Sequence, residues 1–129
     1  MDNREKILRC ALELFYHKGY DAVGIQEICQ SAGITKPTLY HYFGSKYGLL
    51  EVLLEHELSG FLSRLSENAR FLNGIEESLT AFAGTLIDFA NENHQAYMLL
   101  MAFSYSAKEN ETYQAVRPYI TQLYNLTVQ

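Results

Sequence analysis

A glycine turn between two short helical patterns constrains this chain more than any other feature. Residues 23–50 read VGIQEICQSAGITKPTLYHYFGSKYGLL, and apolar side chains recur there at i, i+3, i+4 and i+7: Ile25, Ile28, Cys29 and Ala32. Gly33 follows, at a position where a helix end usually needs the left-handed backbone that glycine adopts freely. We therefore predict a helix that ends before Gly33 and a second helix soon after it.

The second helix contains TLYHYF and has two different faces. Thr35 is placed to cap it, and Pro37 falls in its first turn, where a missing N–H costs nothing. Leu39 and Phe43 are four residues apart and can pack inward together. The other face is predicted to point outward and carries Lys36, Pro37, Thr38, His41 and Tyr42, with Tyr40 on its flank.

A helix, a glycine turn and an exposed second helix together deliver a recognition helix to the major groove of DNA. An ordinary helical corner is the alternative, because such corners recur on folds with unrelated functions. If this second helix binds DNA, its first turn and outward face enter the major groove, and its flanks meet the phosphate backbone of the DNA. That division assigns Lys36, Pro37 and His41 to base edges and Thr35, Tyr40 and Tyr42 to phosphates.

The same stretch resembles the DNA-binding signature of the tetracycline-repressor-like (TetR) family of bacterial transcription regulators. The matching positions lie within residues 1–50 without a gap: Gly19-Tyr20, Ile25, Ile28, Gly33-Ile34-Thr35, Leu39-Tyr40-His41-Tyr42-Phe43, Lys46 and Leu49-Leu50. The resemblance implies that Lys46 contacts a DNA phosphate. It also implies two further C-terminal helices that pair with a second subunit. Nothing before Gln129 fits them, so we expect a shortened chain or dimerisation through other surfaces.

The loop before the helix that contains Ile25 and Ile28 departs from the family pattern. Family members commonly carry a hydroxyl residue at the positions of Val23 and Gly24, and a basic residue is frequent at the position of Gln26. Gly24 can still serve as an N-cap, and N–H groups at a helix N-terminus can still meet a phosphate. We expect weaker phosphate anchoring here, or anchoring through hydrogen bonds from Gln26.

The rest of the chain shows helical periodicity throughout, so we predict an all-α fold of about seven helices. An N-terminal three-helix helix-turn-helix domain (residues 1–46) precedes a helical ligand-binding or regulatory domain (residues 47–129), which is incomplete by the family pattern. The predicted helices outside the turn are Asn3–Lys18, Lys46 to about Arg70, Ile75 to about Asn91 after a break at Asn73-Gly74, one from Asn93-His94, and one after Asn110 that Pro118 kinks or interrupts.

Two of these helices carry specific expectations about burial. The fifth has an apolar stripe that we expect to face inward: Ile75, Leu79, Phe82, Leu86 and Phe89, with Ala83 and Ala90 beside it. The sixth contains YMLLMAF, which is apolar on every side. A helix of that kind is normally buried between others, so we expect it to be central.

The charge balance limits the kinds of partner. Net charge is −5, but residues 1–48 carry six basic and five acidic side chains, whereas residues 49–129 carry four and ten. The DNA-binding part is therefore only weakly positive, and two copies would have to act together. No apolar run is long enough for a membrane helix, and the N-terminus has no signal-peptide pattern, so we expect a cytoplasmic protein. Cys10 and Cys29 are expected to be small buried side chains.

No motif indicates an enzyme, a metal or a cofactor. His56-Glu57 begins like a zinc-protease motif, but Gly60 stands where the second histidine is needed. The four histidines are spread over different helices, and metal sites need clustered ligands. We therefore predict a protein without catalytic activity.

A small-molecule pocket is a further candidate in the second half of the chain. Residues that combine an apolar body with a polar tip, or that fill gaps, are typical of such pockets, and the candidates are Phe61, His94, Tyr97, Met98, Met101, Tyr105, Tyr119 and Tyr124. The alternative is that these side chains only fill the core. The family resemblance implies an effector pocket among these helices, for an apolar or aromatic ligand of unknown identity.

Two hypotheses follow for function. The first is a repressor that binds a palindromic DNA operator as a homodimer and is released when a small effector tilts the fourth helix. The second is a helical interaction module that has lost DNA binding and acts by pairing with another subunit. The weak positive charge, the Val23-Gly24 departure and the lack of the two C-terminal helices that the family resemblance implies support the second.

Overall fold

The computed structural model describes residues 2–70 and 74–127, and each regular element within them is an α-helix. Seven helices follow one another in the described residues: α1 (Asn3–Lys18), α2 (Ile25–Ala32), α3 (Lys36–Phe43), α4 (Lys46–Arg70), α5 (Ile75–Glu92), α6 (His94–Ser104) and α7 (Glu111–Thr127). The predicted all-α class and helix order are confirmed. Of the predicted break at Asn73-Gly74, Asn73 lies outside the described residues. Over the part of the chain described, no helix is long and apolar enough to cross a bilayer.

The chain divides into two compact units, a first unit up to Glu55 and a second unit from His56 onward. The division falls within α4, so this helix contributes its first turns to one unit and the remainder to the other. The sequence-based boundary after residue 46 concerns the DNA-binding and regulatory parts, and it stays a prediction.

The first unit begins with a helix that has a side-chain cap at its N-terminus and a glycine at its C-terminus. The Asp2 carboxylate accepts a hydrogen bond from the backbone N–H of Glu5 at 2.9 Å, which satisfies one of the orphan donors of α1. Gly19 ends α1 with φ of 87°, a conformation that favours glycine. Its N–H donates to the carbonyl of Phe15 at 2.9 Å. Both ends of α1 therefore depend on local sequence.

The core of the first unit draws on four helices and the loop between α1 and α2. Its apolar side chains are each less than a tenth exposed: Ile7, Leu8, Ala11, Phe15, Tyr20, Val23, Ile28, Cys29, Ala32, Leu39, Phe43, Leu49, Leu50, Leu53 and Leu54. α1 packs against α2, and α2 packs against α3. The hydroxyl of Ser45 accepts from the N–H of Gly48 at 2.9 Å, so Ser45 caps the N-terminus of α4. This core holds α3 in place.

The second unit is held by an aromatic contact and a polar contact between α4 and α5. The Phe61 and Phe89 rings stack with centroids 4.1 Å apart, and Tyr97 of α6 meets Phe89 edge-on at 6.5 Å. The Asn68 amide donates to the Thr85 hydroxyl at 2.5 Å, and that hydroxyl donates to the carbonyl of Ala81. These contacts determine which face of α5 turns inward.

The predicted burial of α5 is therefore wrong along its first turns. Ile75 is 75% exposed and Leu79 is 61% exposed, and Ala83 is exposed as well. The apolar arc of α5 is wider than the face that can be covered. Because Phe89 stacks on Phe61 and Thr85 binds Asn68, the helix is rotated so that Ile75 and Leu79 lie outside that face.

Burial of α6 on all sides is also wrong. Its buried residues are Ala96, Leu99, Leu100 and Phe103, whereas Met98 is 41% exposed and Ala102 is exposed. α6 packs against α5 and α7, and these two neighbours cover only part of its circumference. α7 continues as one helix through Pro118, so of the two predicted outcomes the interruption does not occur, and the kink stays a prediction.

Candidate nucleic-acid interface

The turn between α2 and α3 is formed as its sequence predicts. Gly33 has φ of 69° and ψ of 37°, the left-handed conformation, and the N–H of Ile34 returns to the carbonyl of Cys29 at 3.0 Å. The Lys6 ammonium of α1 lies near this turn, 3.8 Å from the place where a side-chain carbon on Gly33 would stand. The turn sets the direction in which α3 leaves the core.

Thr35 occupies the N-cap position of α3, with φ of −94° and ψ of 160°. Its hydroxyl does not cap a backbone N–H. It forms a hydrogen bond with the hydroxyl of Thr38 at 3.0 Å. The predicted position of the cap is therefore confirmed, but the cap has no side-chain bond to the backbone. A hydroxyl pair in the first turn of α3 is available instead.

The two faces of α3 differ as predicted. Leu39 is fully buried and Phe43 is 8% exposed. Lys36, Pro37 and His41 are exposed on the other side. Because neighbouring side chains cover neither Pro37 nor His41, α3 is not a buried helix of the first unit: one of its faces is open to solvent.

The flanks of α3 carry two tyrosines at the surface. Tyr40 is 46% exposed and Tyr42 is 40% exposed, and the His41 ring meets the Tyr42 ring edge-on at 5.5 Å. Thr38 is half-buried beside them. The outward side of α3 therefore combines one cation, an imidazole, hydroxyls and aromatic surface, which are groups that can bind nucleotides.

The N-terminus of α2 lies in the same unit and lacks a side-chain cap. Gly24 is its N-cap, with φ of −97° and ψ of 163°, and both Gly24 and Gln26 are exposed. The next residue, Glu27, pairs with Lys18 of α1. Unbonded N–H groups at a helix N-terminus attract phosphate. Phosphate binding by Gly24 or Gln26 stays a prediction.

Lys46 makes a contact that its predicted role does not include, and its contact with a DNA phosphate stays a prediction. Its ammonium donates to the backbone carbonyl of Tyr20 and lies 3.9 Å from the centroid of the Tyr20 ring. A phosphate contact by Lys46 would have to share or replace these contacts. The residues lie 26 positions apart, and no periodic pattern signals a contact over that separation.

Cys29 lies beneath the interface and is 4% exposed. Burial raises the pKa of its thiol above the usual range, and the positive charge of Lys36 opposes that rise. The thiol therefore stays protonated at neutral pH and serves as a small apolar side chain. The described residues contain no group of three or more His, Cys, Asp or Glu side chains that could hold a metal ion.

The candidate pocket residues of the second unit fall into two groups. Phe61 is buried, and Tyr97, Met101 and Tyr119 are half-buried. The exposed group is His94, Met98, Tyr105 and Tyr124, among which Tyr105 is 89% exposed. The structure therefore brings only the first group towards the interior of the second unit, and a ligand pocket stays a prediction.

Comparison with known proteins identifies the first unit. Residues 7–53 match the family described as bacterial regulatory proteins, tetR family. The HTH-type transcriptional activator FasR of Mycolicibacterium smegmatis is 31% identical over 104 residues, which cover 81% of this chain and 48% of FasR. The HTH-type transcriptional regulator YvdT of Bacillus subtilis is 30% identical, with 96% of this chain and 66% of YvdT covered. The chain thus spans from about half to about two thirds of the length of these relatives.

Solved structures agree in fold. A TetR-like transcriptional regulator from a Rhodococcus species superposes with a TM-score of 0.80 at 23% identity, covering 97% of this chain and 67% of that one. The TetR-family regulator PfmR of Thermus thermophilus gives 0.71 at 25% identity, covering 93% and 65%. The chain belongs to the tetR family of bacterial regulatory proteins. The family resemblance is thereby confirmed, and so is the prediction that the chain is not an enzyme, since these relatives are named as transcription regulators.

Proposed function

We propose that this chain is the DNA-binding and regulatory part of a cytoplasmic transcription regulator, a repressor that binds a palindromic operator as a homodimer. The division of α3 carries the proposal. Leu39 and Phe43 anchor the helix in the core, and Pro37 and His41 stand exposed on the opposite side. A recognition helix needs this arrangement, because its anchoring side must be rigid while its other side reads bases.

In this proposal the contacts divide by position on α3. Lys36, Pro37 and His41 meet base edges, and Thr38 lies beside them in the first turn. Thr35, Tyr40 and Tyr42 meet phosphates, together with Gly24 and Gln26 at the N-terminus of α2. In a dimer the two recognition helices would lie about 34–36 Å apart, or a multiple of that distance, to match successive major grooves. The DNA-binding part comprises residues 1–46 and the regulatory part residues 47–129.

The test begins with a pool of duplexes whose randomised centre spans two helical turns. Repeated selection on the full chain should enrich a palindrome, and affinity for it should fall steeply as salt rises. Lys36→Ala and His41→Ala should each weaken binding by about 1–3 kcal/mol and relax preference at particular base positions. Lys108→Ala, a charge-matched change in the second unit, should leave affinity unchanged. Binding that ignores salt and both α3 substitutions would rule out the proposed interface.

The direction of regulation needs a separate measurement. The relative FasR is named as an activator. One DNA-binding surface can serve repression or activation, because the outcome depends on where the operator lies relative to the promoter. A reporter gene behind the selected operator should be silenced by this chain if it is a repressor. Increased expression would keep the DNA-binding proposal and reject the repressor.

The proposed effector site lies in the second unit, beside the stacked Phe61 and Phe89 rings and near Tyr97, Met101 and Tyr119. These side chains present aromatic and thioether surface with two hydroxyl tips, which suits an apolar or aromatic ligand. The regulator FadR of Bacillus subtilis shares the fold at 20% identity and was solved in complex with stearoyl-CoA. At that identity the likeness concerns the fold alone, so a long-chain acyl-CoA enters the test as one probe among several.

Thermal unfolding with stearoyl-CoA, free stearate and an aromatic carboxylate tests the effector site. A ligand at 100 times its Kd stabilises the folded protein by about 2.7 kcal/mol. Coenzyme A alone and a nonionic detergent serve as controls for the head group and for general apolar adsorption. An effector should also release the selected operator, and Met101→Ala should weaken both effects. Stabilisation by the detergent alone would reject a specific site.

The alternative is a helical module that pairs with another subunit and binds no DNA. Only the small net positive charge of residues 1–48 and the lack of a hydroxyl at Val23-Gly24 favour it. Sizing of the full chain with and without the duplex pool separates the two proposals. A monomer that retains no duplex would favour the module.

A further inference from the structure

Two donors converge on one backbone carbonyl in the loop that precedes α2. The carbonyl of Tyr20 accepts a hydrogen bond from the N–H of Val23 at 3.3 Å, which closes a turn directly before Gly24. The same carbonyl accepts from the ammonium of Lys46, in the first turn of α4. That ammonium also lies 3.9 Å from the centroid of the Tyr20 ring, so it contacts both the backbone and the side chain of one residue.

Burial makes this contact stronger than a surface ion pair. Tyr20 is 4% exposed, and its ring packs against Phe15 with centroids 5.1 Å apart. A cation held against a buried ring and carbonyl is partly removed from water, where electrostatic contacts gain strength. The Lys18–Glu27 pair also joins α1 to α2, but its side chains are 52% and 33% exposed and contribute little.

The loop needs such a contact because its own residues do not supply a cap. Gly24 has no side chain, and Val23 has no hydroxyl, so no side chain caps α2. The turn that ends at Val23 sets where the N–H groups of α2 begin. A lysine bonded to the closing carbonyl of that turn therefore restrains the N-terminus of α2 from the side of α4.

We propose that Lys46 is a positioning residue that fixes the N-terminus of α2 through Tyr20, and not itself a phosphate ligand. Lys46 then sets the position from which the backbone N–H groups of α2 contact the DNA phosphates. The effect of Lys46 on DNA affinity rests on the proposed DNA-binding function. The restraint of the loop is present in the protein without DNA. The two can therefore be measured separately.

The first measurement is amide hydrogen exchange in the full chain without DNA. Lys46→Met removes the charge but keeps the length of the side chain, and it should speed exchange at Val23 and at Ile28, whose N–H donates to the carbonyl of Gly24. Lys46→Arg should restore most protection, because a guanidinium can donate to the carbonyl and stack on the ring. Lys108→Met loses the same charge in the second unit and should change neither amide. Unchanged exchange in Lys46→Met would overturn the proposal.

The second measurement is the salt dependence of binding to the selected operator, at a temperature where each variant is folded. Lys46→Met should lose affinity by roughly tenfold, which corresponds to about 1.4 kcal/mol, with the slope against salt unchanged. A slope that falls by about 0.9 for each lost contact would make Lys46 a phosphate ligand and overturn the proposal. Faster exchange with unchanged affinity would reduce the contact to a structural one, which also overturns it. If the unaltered chain binds no duplex, the proposed function fails, and the exchange data alone decide whether Lys46 fixes the loop.

Discussion

The two compact units differ in how completely they cover their apolar surface. In the first unit the exposed large apolar side chains among the described residues are two tyrosines, Tyr40 and Tyr42, on the flanks of α3. In the second unit they include aliphatic side chains such as Ile75, Leu79 and Ile87 of α5. A tyrosine at the surface keeps a hydroxyl in water, whereas an exposed isoleucine or leucine places hydrocarbon there.

This difference shows that helical periodicity predicts burial more accurately in the first unit than in the second. In the first unit, α1, α2 and α3 each end at a glycine with positive φ, and nearly every apolar position of each pattern is covered. In the second unit the apolar arcs of α5 and α6 are wide. Specific contacts such as the Phe61–Phe89 stack then decide which part of the arc is buried. The predictions that follow test this contrast.

The largest expected effect comes from a matched pair of truncations. Leu39→Ala removes a fully buried side chain of α3 and should lower the free energy of unfolding by about 2–5 kcal/mol. Leu79→Ala removes the same atoms from a side chain that is 61% exposed and should change stability by less than about 0.5 kcal/mol. Urea unfolding followed by circular dichroism measures both. Equal costs would show that Leu79 is covered in solution.

A smaller effect is expected at the polar contact of the second unit. Thr85→Val keeps the shape of the side chain but leaves the Asn68 amide without the hydroxyl to which it donates. Stability should fall by about 1–3 kcal/mol, because a part-buried donor left without its acceptor costs desolvation. Thr80→Val is the control, since that hydroxyl bonds only within the exposed surface of α5. A loss at Thr85 no larger than at Thr80 would show that apolar packing alone orients α5.

Glycine-to-alanine substitutions should have opposite signs in the two units. Gly33→Ala forces a side chain into a left-handed conformation and should cost about 1–2 kcal/mol. Gly84→Ala lies within α5, where an added methyl group meets nothing within 4 Å, and should stabilise by about 0.5–1 kcal/mol. Thermal unfolding of the two variants gives the comparison. A stabilising Gly33→Ala would mean that the turn adopts another conformation.

The smallest effect is expected at the uncapped start of α2. Gly24 has an extended backbone and open space around an added side chain, so Gly24→Ser can supply the missing cap. It should stabilise the protein by about a few tenths of a kcal/mol relative to glycine, and Gly24→Ala should be less stable than either. Melting temperatures of the three proteins rank them. A serine variant no more stable than alanine would show that the turn closed by Tyr20 leaves no N–H for a cap.

Much of the candidate interface could be predicted from sequence because its signals are local. A glycine that requires positive φ, a proline in a first turn, and Leu39 and Phe43 four residues apart each involve neighbours along the chain. The contact of Lys46 with Tyr20 could not be predicted, because it joins residues 26 positions apart. Nor could the hydrogen bond that diverts the Thr35 hydroxyl to Thr38. The Lys46 contact depends on where side chains meet after the helices pack, whereas the Thr35 hydroxyl bonds a local partner three residues away in place of a backbone N–H.

The amino-acid sequence by itself determined the helices, their order and the two faces of α3, since helix ends and amphipathic spacing are properties of adjacent residues. Only the tertiary structure decided the rotation of α5, the exposed side of α6 and the contact that occupies Lys46. The physical reason is that burial depends on what a neighbouring helix can cover. An apolar pattern indicates which side chains would be stabilised by burial. The packing of neighbouring helices decides which of those side chains are buried.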